Sequence, residues 1–121
     1  MSKKILVVED TEDNRQILRD LLSAAGYDMI EAHDGAEGVA QATAHKPDLI
    51  LMDIQMPVMD GYEATRRIKA DPALKSIPVI AVTSYALSGD EDKARAAGCD
   101  GYVAKPFSPR QMLAKVREIL G

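Results

Sequence analysis

A single cysteine, Cys99, among 121 residues removes two classes of answer at once. No internal disulfide can form, and no cysteine-based zinc site is expected. Cys99 lies between Gly98 and Asp100 and reads as a small buried residue. No apolar run approaches the roughly 18 residues that a membrane-spanning helix needs. Basic runs are also missing. Acids and bases are mixed along the chain and leave a net charge of -4, so neither nucleic acid nor an anionic membrane is an expected partner. The nucleotide-binding pattern GxxxxGK[ST] is absent. The opening residues MSKKILVVED reach acids too early for a secretory signal, so a cytoplasmic protein is expected. With no linker, repeat or low-complexity stretch, residues 1–121 read as one domain with a single real core.

What is present is an alternation. Short apolar runs give way five times to segments with helical spacing. Strands are expected at 5–8, at Met29-Ile30, at 49–52, from Pro78 to Val82, and at Tyr102-Val103. Proline at the first position of the fourth strand is tolerated there. Helices are expected from Asn14 to Ala25, from Ala36 to Ala44, from Glu63 to Ala70, from about Ser88 to Ala97, and from Pro109 onward. In the first helix Ile17, Leu18, Leu21, Leu22 and Ala25 recur as the apolar stripe, and Gly26 stops it. Ser88 and Glu91 read as a capping box for the fourth helix, whose alanine-lined side predicts loose packing. Ser108-Pro109 is an N-cap followed by proline at the first helical position. Five βα units in this length predict an open parallel sheet with helices on both faces, since a closed eight-fold barrel needs about twice the chain.

The stretch LILMDIQMPVMDG sets an acid, Asp53, at the tip of a fully apolar strand. In open α/β sheets the functional crevice lies at the carboxyl ends of the strands. Strand one ends in Glu9-Asp10, strand three in Asp53, strand four in Thr83-Ser84, and strand five leads to Lys105-Pro106. In a sheet ordered 2-1-3-4-5, strands one and three are neighbours about 4.8 Å apart, so Glu9, Asp10 and Asp53 converge. Their mutual repulsion calls for a hard cation, and Mg²⁺ suits oxygen-only ligands with several waters. A lysine and a hydroxyl opposite them call for an anion. Together these groups describe a cradle for a phosphoryl group with Asp53 as the nucleophile. Taken singly, each is duller: Asp53 a loop cap, Thr83 a strand-end hydroxyl, Lys105 a solvated lysine, Tyr102 a packing residue. The joint pattern on one sheet edge carries the reading.

At these residues the chain resembles the receiver domain of two-component response regulators. The resemblance spans VVEDTEDNR, LILMDIQMPVMDG, IPVIAVTS and GYVAKPF. It implies a (βα)5 doubly wound, flavodoxin-like three-layer sandwich with strand order 2-1-3-4-5. It implies that Asp53 is the phosphoacceptor, that Glu9 and Asp10 are the acidic pair with Asp10 a direct metal ligand, and that Gln55 offers its backbone carbonyl to the metal. Thr83 matches the switch hydroxyl, Tyr102 the aromatic that follows it, and Lys105 the phosphate-binding lysine. A cis peptide between Lys105 and Pro106 is implied, and Pro57, Asp60 and Gly61 match structural turn positions. Mg²⁺ is the implied cofactor, with Mn²⁺ as a substitute. Two departures are minor. Glu9 replaces an aspartate common in the family, and Tyr85 is large for a position near the acyl phosphate.

The resemblance implies a histidine kinase or histidine phosphotransfer protein as phosphodonor. Because the sequence stops after the fifth helix, the output is expected through protein contact at the fourth helix, fifth strand and fifth helix. A monomer is expected, with dimerisation open on phosphorylation. Single-domain receivers of the chemotaxis or cell-cycle kind and receivers of hybrid kinases both fit. The rival reading is a receiver-fold scaffold that signals by binding alone. A haloacid-dehalogenase-type hydrolase needs a second acid where Gln55 stands, and a flavodoxin would not place the acidic TEDN in its phosphate loop.

Overall fold

The structure is a computed structural model that describes residues 3–54, 59–83, 90–105 and 108–120, with Asp90 and Glu91 described as backbone alone. Ten elements alternate: β1 (Lys4–Val8), α1 (Glu12–Ala24), β2 (Asp28–Ala32), α2 (Gly35–His45), β3 (Leu49–Asp53), α3 (Gly61–Ala70), β4 (Val79–Thr83), α4 (Asp90–Ala97), β5 (Gly101–Ala104) and α5 (Pro109–Leu120). The strands form one sheet in the order β2-β1-β3-β4-β5, every pair parallel, as the five βα units predict.

The period-2 alternation of the strands builds two cores. Leu6, Val8, Ile50, Met52, Val79 and Ala81 face Ala42, Ala64, Ile68 and Ala94, on the side of α2, α3 and α4. Ile5, Val7, Leu49, Leu51, Ile80 and Val82 face Leu18, Leu22, Met112 and Val116, on the side of α1 and α5. A strand covered on both faces has no reason to alternate polar and apolar residues, which is why β3 and β4 read as continuous apolar runs.

Local chemistry sets the helix ends. After α1, Gly26 at φ +90° lets Tyr27 N–H reach back to Leu22 C=O and its own N–H to Ser23 C=O, a Schellman closure. Asp60 caps α3 by accepting from Glu63 N–H, and Asp34 caps α2 by accepting from Glu37 N–H. Ser108 and Gln111 exchange a reciprocal pair of bonds at the start of α5, so a capping box does open that helix. The box expected at Ser88 lies outside the described residues.

Two expectations need correction. Helix α1 starts at Glu12, not Asn14, because acids in a first turn suit the positive end of the helix. Ile17 is also not part of the buried stripe. It is 53% exposed, and Arg15 takes the core-facing place instead, in register with Leu18 and Leu22.

Candidate phosphoryl-acceptor site at the sheet edge

Register brings the chemistry together. Val8 pairs with Met52, so the next residues along, Glu9 and Asp53, are neighbours at the strand tips. Asp53 pairs with Val82, and Thr83 with Ala104, which stations Lys105 just past the end of β5. Lys105 N–H donates to Thr83 C=O at 2.7 Å and ties that exit to β4.

Glu9, Asp10 and Asp53 each offer one carboxylate oxygen, all within 4.8 Å of one another. Glu9 and Asp53 are buried, at 3% and 4% exposure, while Asp10 faces solvent. Lys105 Nζ lies 3.3 Å from Glu9 Oε1 and 3.3 Å from Asp53 Oδ1. One ammonium thus stands against three acids. Burial, and then the Glu9 carboxylate beside it, push the Asp53 pKa up to about 8, with Lys105 pulling the other way. Burial also acts to raise Glu9, but hydrogen bonds with Asp53, Asn14 and Lys105 outweigh it and lower that group. The two carboxyls are thus driven apart, Asp53 upward and Glu9 downward.

Such a cluster is high in energy without a counter-ion. Glu9 Oε2 is buried and accepts from no donor among the described residues. An unpaired carboxylate oxygen beside two further acids, with oxygen the sole ligand type, fits a hard divalent cation.

The start of α3 depends on Gly61. A Cβ there would come within 2.4 Å of Asp53 C=O and 2.9 Å of Ile54 Cα. Gly61 N–H donates to Ile54 C=O, so the start of α3 abuts the strand tip. Thr83 is fully buried at the end of β4. Tyr102 sits on β5 opposite Ala81, half-buried against the α2–α4 core. It lines a cleft of about 340 Å³ together with Ala94, Arg95, Cys99, Asp100 and Lys115. Gln55, Pro57, Tyr85 and Pro106, and with Pro106 the expected cis peptide, lie outside the described residues.

Two residues at the site were missed by sequence reasoning. Asn14 Nδ2 donates to Glu9 Oε1, and Arg15 Nη1 donates to Glu9 C=O at 2.7 Å. The available signal was the spacing Arg15, Leu18, Leu22, which places an arginine on the buried face of α1.

The profile of the response regulator receiver domain matches residues 5–117. The chain belongs to that family. It is a receiver of the two-component kind, similar over its whole length to the polar-differentiation response regulator DivK of Brucella anthropi, at 45% identity and covering 98% of that protein. It is similar to the receiver domain of the sensor histidine kinase PA1611 of Pseudomonas aeruginosa, at 36% identity and a TM-score of 0.93, covering 100% of this chain and 99% of that one. That structure holds a magnesium ion in its active site cleft. The chemotaxis protein CheY4 of Vibrio cholerae is similar at 30% identity and a TM-score of 0.93, covering 98% of this receiver and 99% of that chain. Among the described residues no helix is long and apolar enough to cross a membrane.

Proposed function

We propose that this receiver accepts a phosphoryl group on Asp53 from a phosphohistidine of a histidine kinase or phosphotransfer protein, and relays the signal to a partner protein. The observation that carries it is the placement of a buried carboxylate at the tip of β3, with a lysine at 3.3 Å and two further acids within 4.8 Å. An Asp53 oxygen attacks phosphorus and forms the new P–O bond. The P–N bond breaks, and the imidazole leaves with the electron pair and takes up a proton. Glu9, Asp10, Asp53 and the Gln55 carbonyl would hold Mg²⁺, with Mn²⁺ as a substitute, and the bound ion would supply neutralisation of the transferring charge.

The chain's own groups do the rest. Lys105 leaves Glu9 and Asp53 to meet a phosphoryl oxygen as a mobile point charge. Thr83 donates its hydroxyl to another oxygen, and Tyr102 follows the space that Thr83 vacates. Pro57, Gly61 and Pro106 hold the loops in which these groups work. The change is read at α4, β5 and α5, where the cleft beside Tyr102 lies. Residues 1–121 act as one receiver domain, cytoplasmic and monomeric at rest.

The test is intact mass after incubation with Mg²⁺ and acetyl phosphate, for the natural chain and Asp53→Asn. Gain of one phosphoryl group in the first alone supports the assignment. Gain in both moves the acceptor elsewhere. With phosphohistidine donor protein also supplied, no gain in either leaves the binding scaffold as the reading.

A further inference from the structure

Glu9 is held from three directions. Its N–H donates to Ala32 C=O at 3.0 Å, and Arg15 caps its C=O from the other side. Its Oε1 takes the amide of Asn14 and, at 3.3 Å, the ammonium of Lys105. These contacts leave Oε2 buried and without a donor among the described residues. Arg15 is itself locked. It is 5% exposed, its Nη2 bonds Glu12 Oε2, and its Nε lies 3.3 Å from Glu31 Oε1. Arg19 grips the same Glu31 with Nε and Nη2, at 3.1 and 2.6 Å. The first turns of α1 are thereby fastened to β2, and Asn14 is fixed next to Arg15.

A glutamate carries one more rotatable bond than an aspartate, and each bond left free costs entropy when a ligand must fix it. Lys105 cannot be the permanent clamp, because it also contacts Asp53 and is drawn toward any anion that binds there. Asn14 has no such second duty among the described contacts. We propose that Asn14, seated by Arg15, is the positioning residue that holds the Glu9 carboxylate ready for a divalent cation. Asn14 takes Oε1 and so reserves Oε2. Outer donors of this sort tune metal affinity by orienting the ligand oxygen. The inference rests on the reading of Glu9, Asp10 and Asp53 as the cation site.

The test is Mg²⁺ binding by titration calorimetry, with no phosphodonor present. Asn14→Leu keeps the size and removes the donor, and should weaken Mg²⁺ about tenfold. A cooperative melt in chelator shows that the variant is folded. The decisive comparison uses Glu9→Asp, which keeps a carboxylate but withdraws it from Asn14. In that background Asn14→Leu should change the affinity less than twofold, because the contact is already gone. If Asn14→Leu binds Mg²⁺ as the natural chain does, or weakens it equally in both backgrounds, the positioning role is wrong and the cation site stands. If the natural chain itself binds no Mg²⁺, the cation site falls, and this inference with it.

Discussion

Lys105 Nζ lies 3.3 Å from Asp53 Oδ1, close enough to offset part of the acid charge that the strand tips gather. That contact makes the lysine both a rival to a cation and a helper in phosphoryl transfer. The two roles predict opposite signs. Lys105→Met should tighten Mg²⁺, because a positive charge leaves the cluster. It should also slow phosphorylation by acetyl phosphate tenfold or more, because a charge that meets the developing phosphoryl oxygens is lost. Calorimetry and a time course of intact mass read the two effects separately. A variant that phosphorylates at the natural rate would remove Lys105 from the chemistry.

The upward shift of the Asp53 carboxyl makes stability depend on pH. The folded carboxyl is raised to about 8 by burial and then by Glu9, whereas an unfolded aspartate titrates near 3.8. The folded state therefore binds the proton more tightly. Its contribution to stability is full below about pH 4 and is lost as pH rises to about 8. In chelator, the melting temperature should fall across that window. Asp53→Asn should flatten the fall and be the more stable chain at pH 8.5. Mg²⁺ should abolish most of the difference, and its uptake at pH 7 should release a proton, visible as a calorimetric heat that varies with the buffer. An unchanged melting temperature from pH 5 to 8.5 would contradict the upward shift of Asp53.

The parallel sheet and the gathering of Glu9, Asp10, Asp53 and Lys105 at one edge were legible because strand ends are local features, whereas the strand order came with the resemblance to receiver domains. An apolar run followed by an acid marks a tip, and parallel βα topology sends every tip to the same side. Asn14 and Arg15 were not legible in that way. Helical spacing puts Arg15 on the buried face of α1, but the contacts of Asn14 and Arg15 with Glu9, at the end of β1, are tertiary and no spacing rule records them. Hydropathy also misplaced Ile17, since an isoleucine beside two leucines looks like core and an arginine does not.

That exchange of places can be measured. Ile17, 53% exposed, should tolerate Ile17→Ala within about 0.5 kcal/mol. Arg15→Ala should cost about 2 kcal/mol, because it strips the buried Glu9 carbonyl of its donor and leaves Arg19 to hold Glu12 and Glu31 without its help. Urea unfolding of the two variants gives the comparison. Equal losses would mean that the buried guanidinium is no more than a replaceable filler.

Gly61 ties the fold to the site most directly. Its missing Cβ is what lets α3 start against the carbonyl of Asp53, at a place where the added carbon would sit 2.4 Å from that oxygen. Ile54 Cδ1, at 2.8 Å, can rotate away, but the Asp53 carbonyl oxygen and Ile54 Cα are backbone atoms and cannot. Gly61→Ala must therefore push α3 off the strand tip or move the tip itself. The first route breaks the bond from Gly61 N–H to Ile54 C=O, and the second turns the Asp53 carboxylate out of line with Lys105. Either should cost about 1–3 kcal/mol in urea unfolding. Only the second should also slow phosphorylation by acetyl phosphate in chains that remain folded. Loss of stability with a natural rate would place the adjustment in α3, and loss of both would place it at Asp53. A variant as stable as the natural chain would show that the contact at Gly61 is slack.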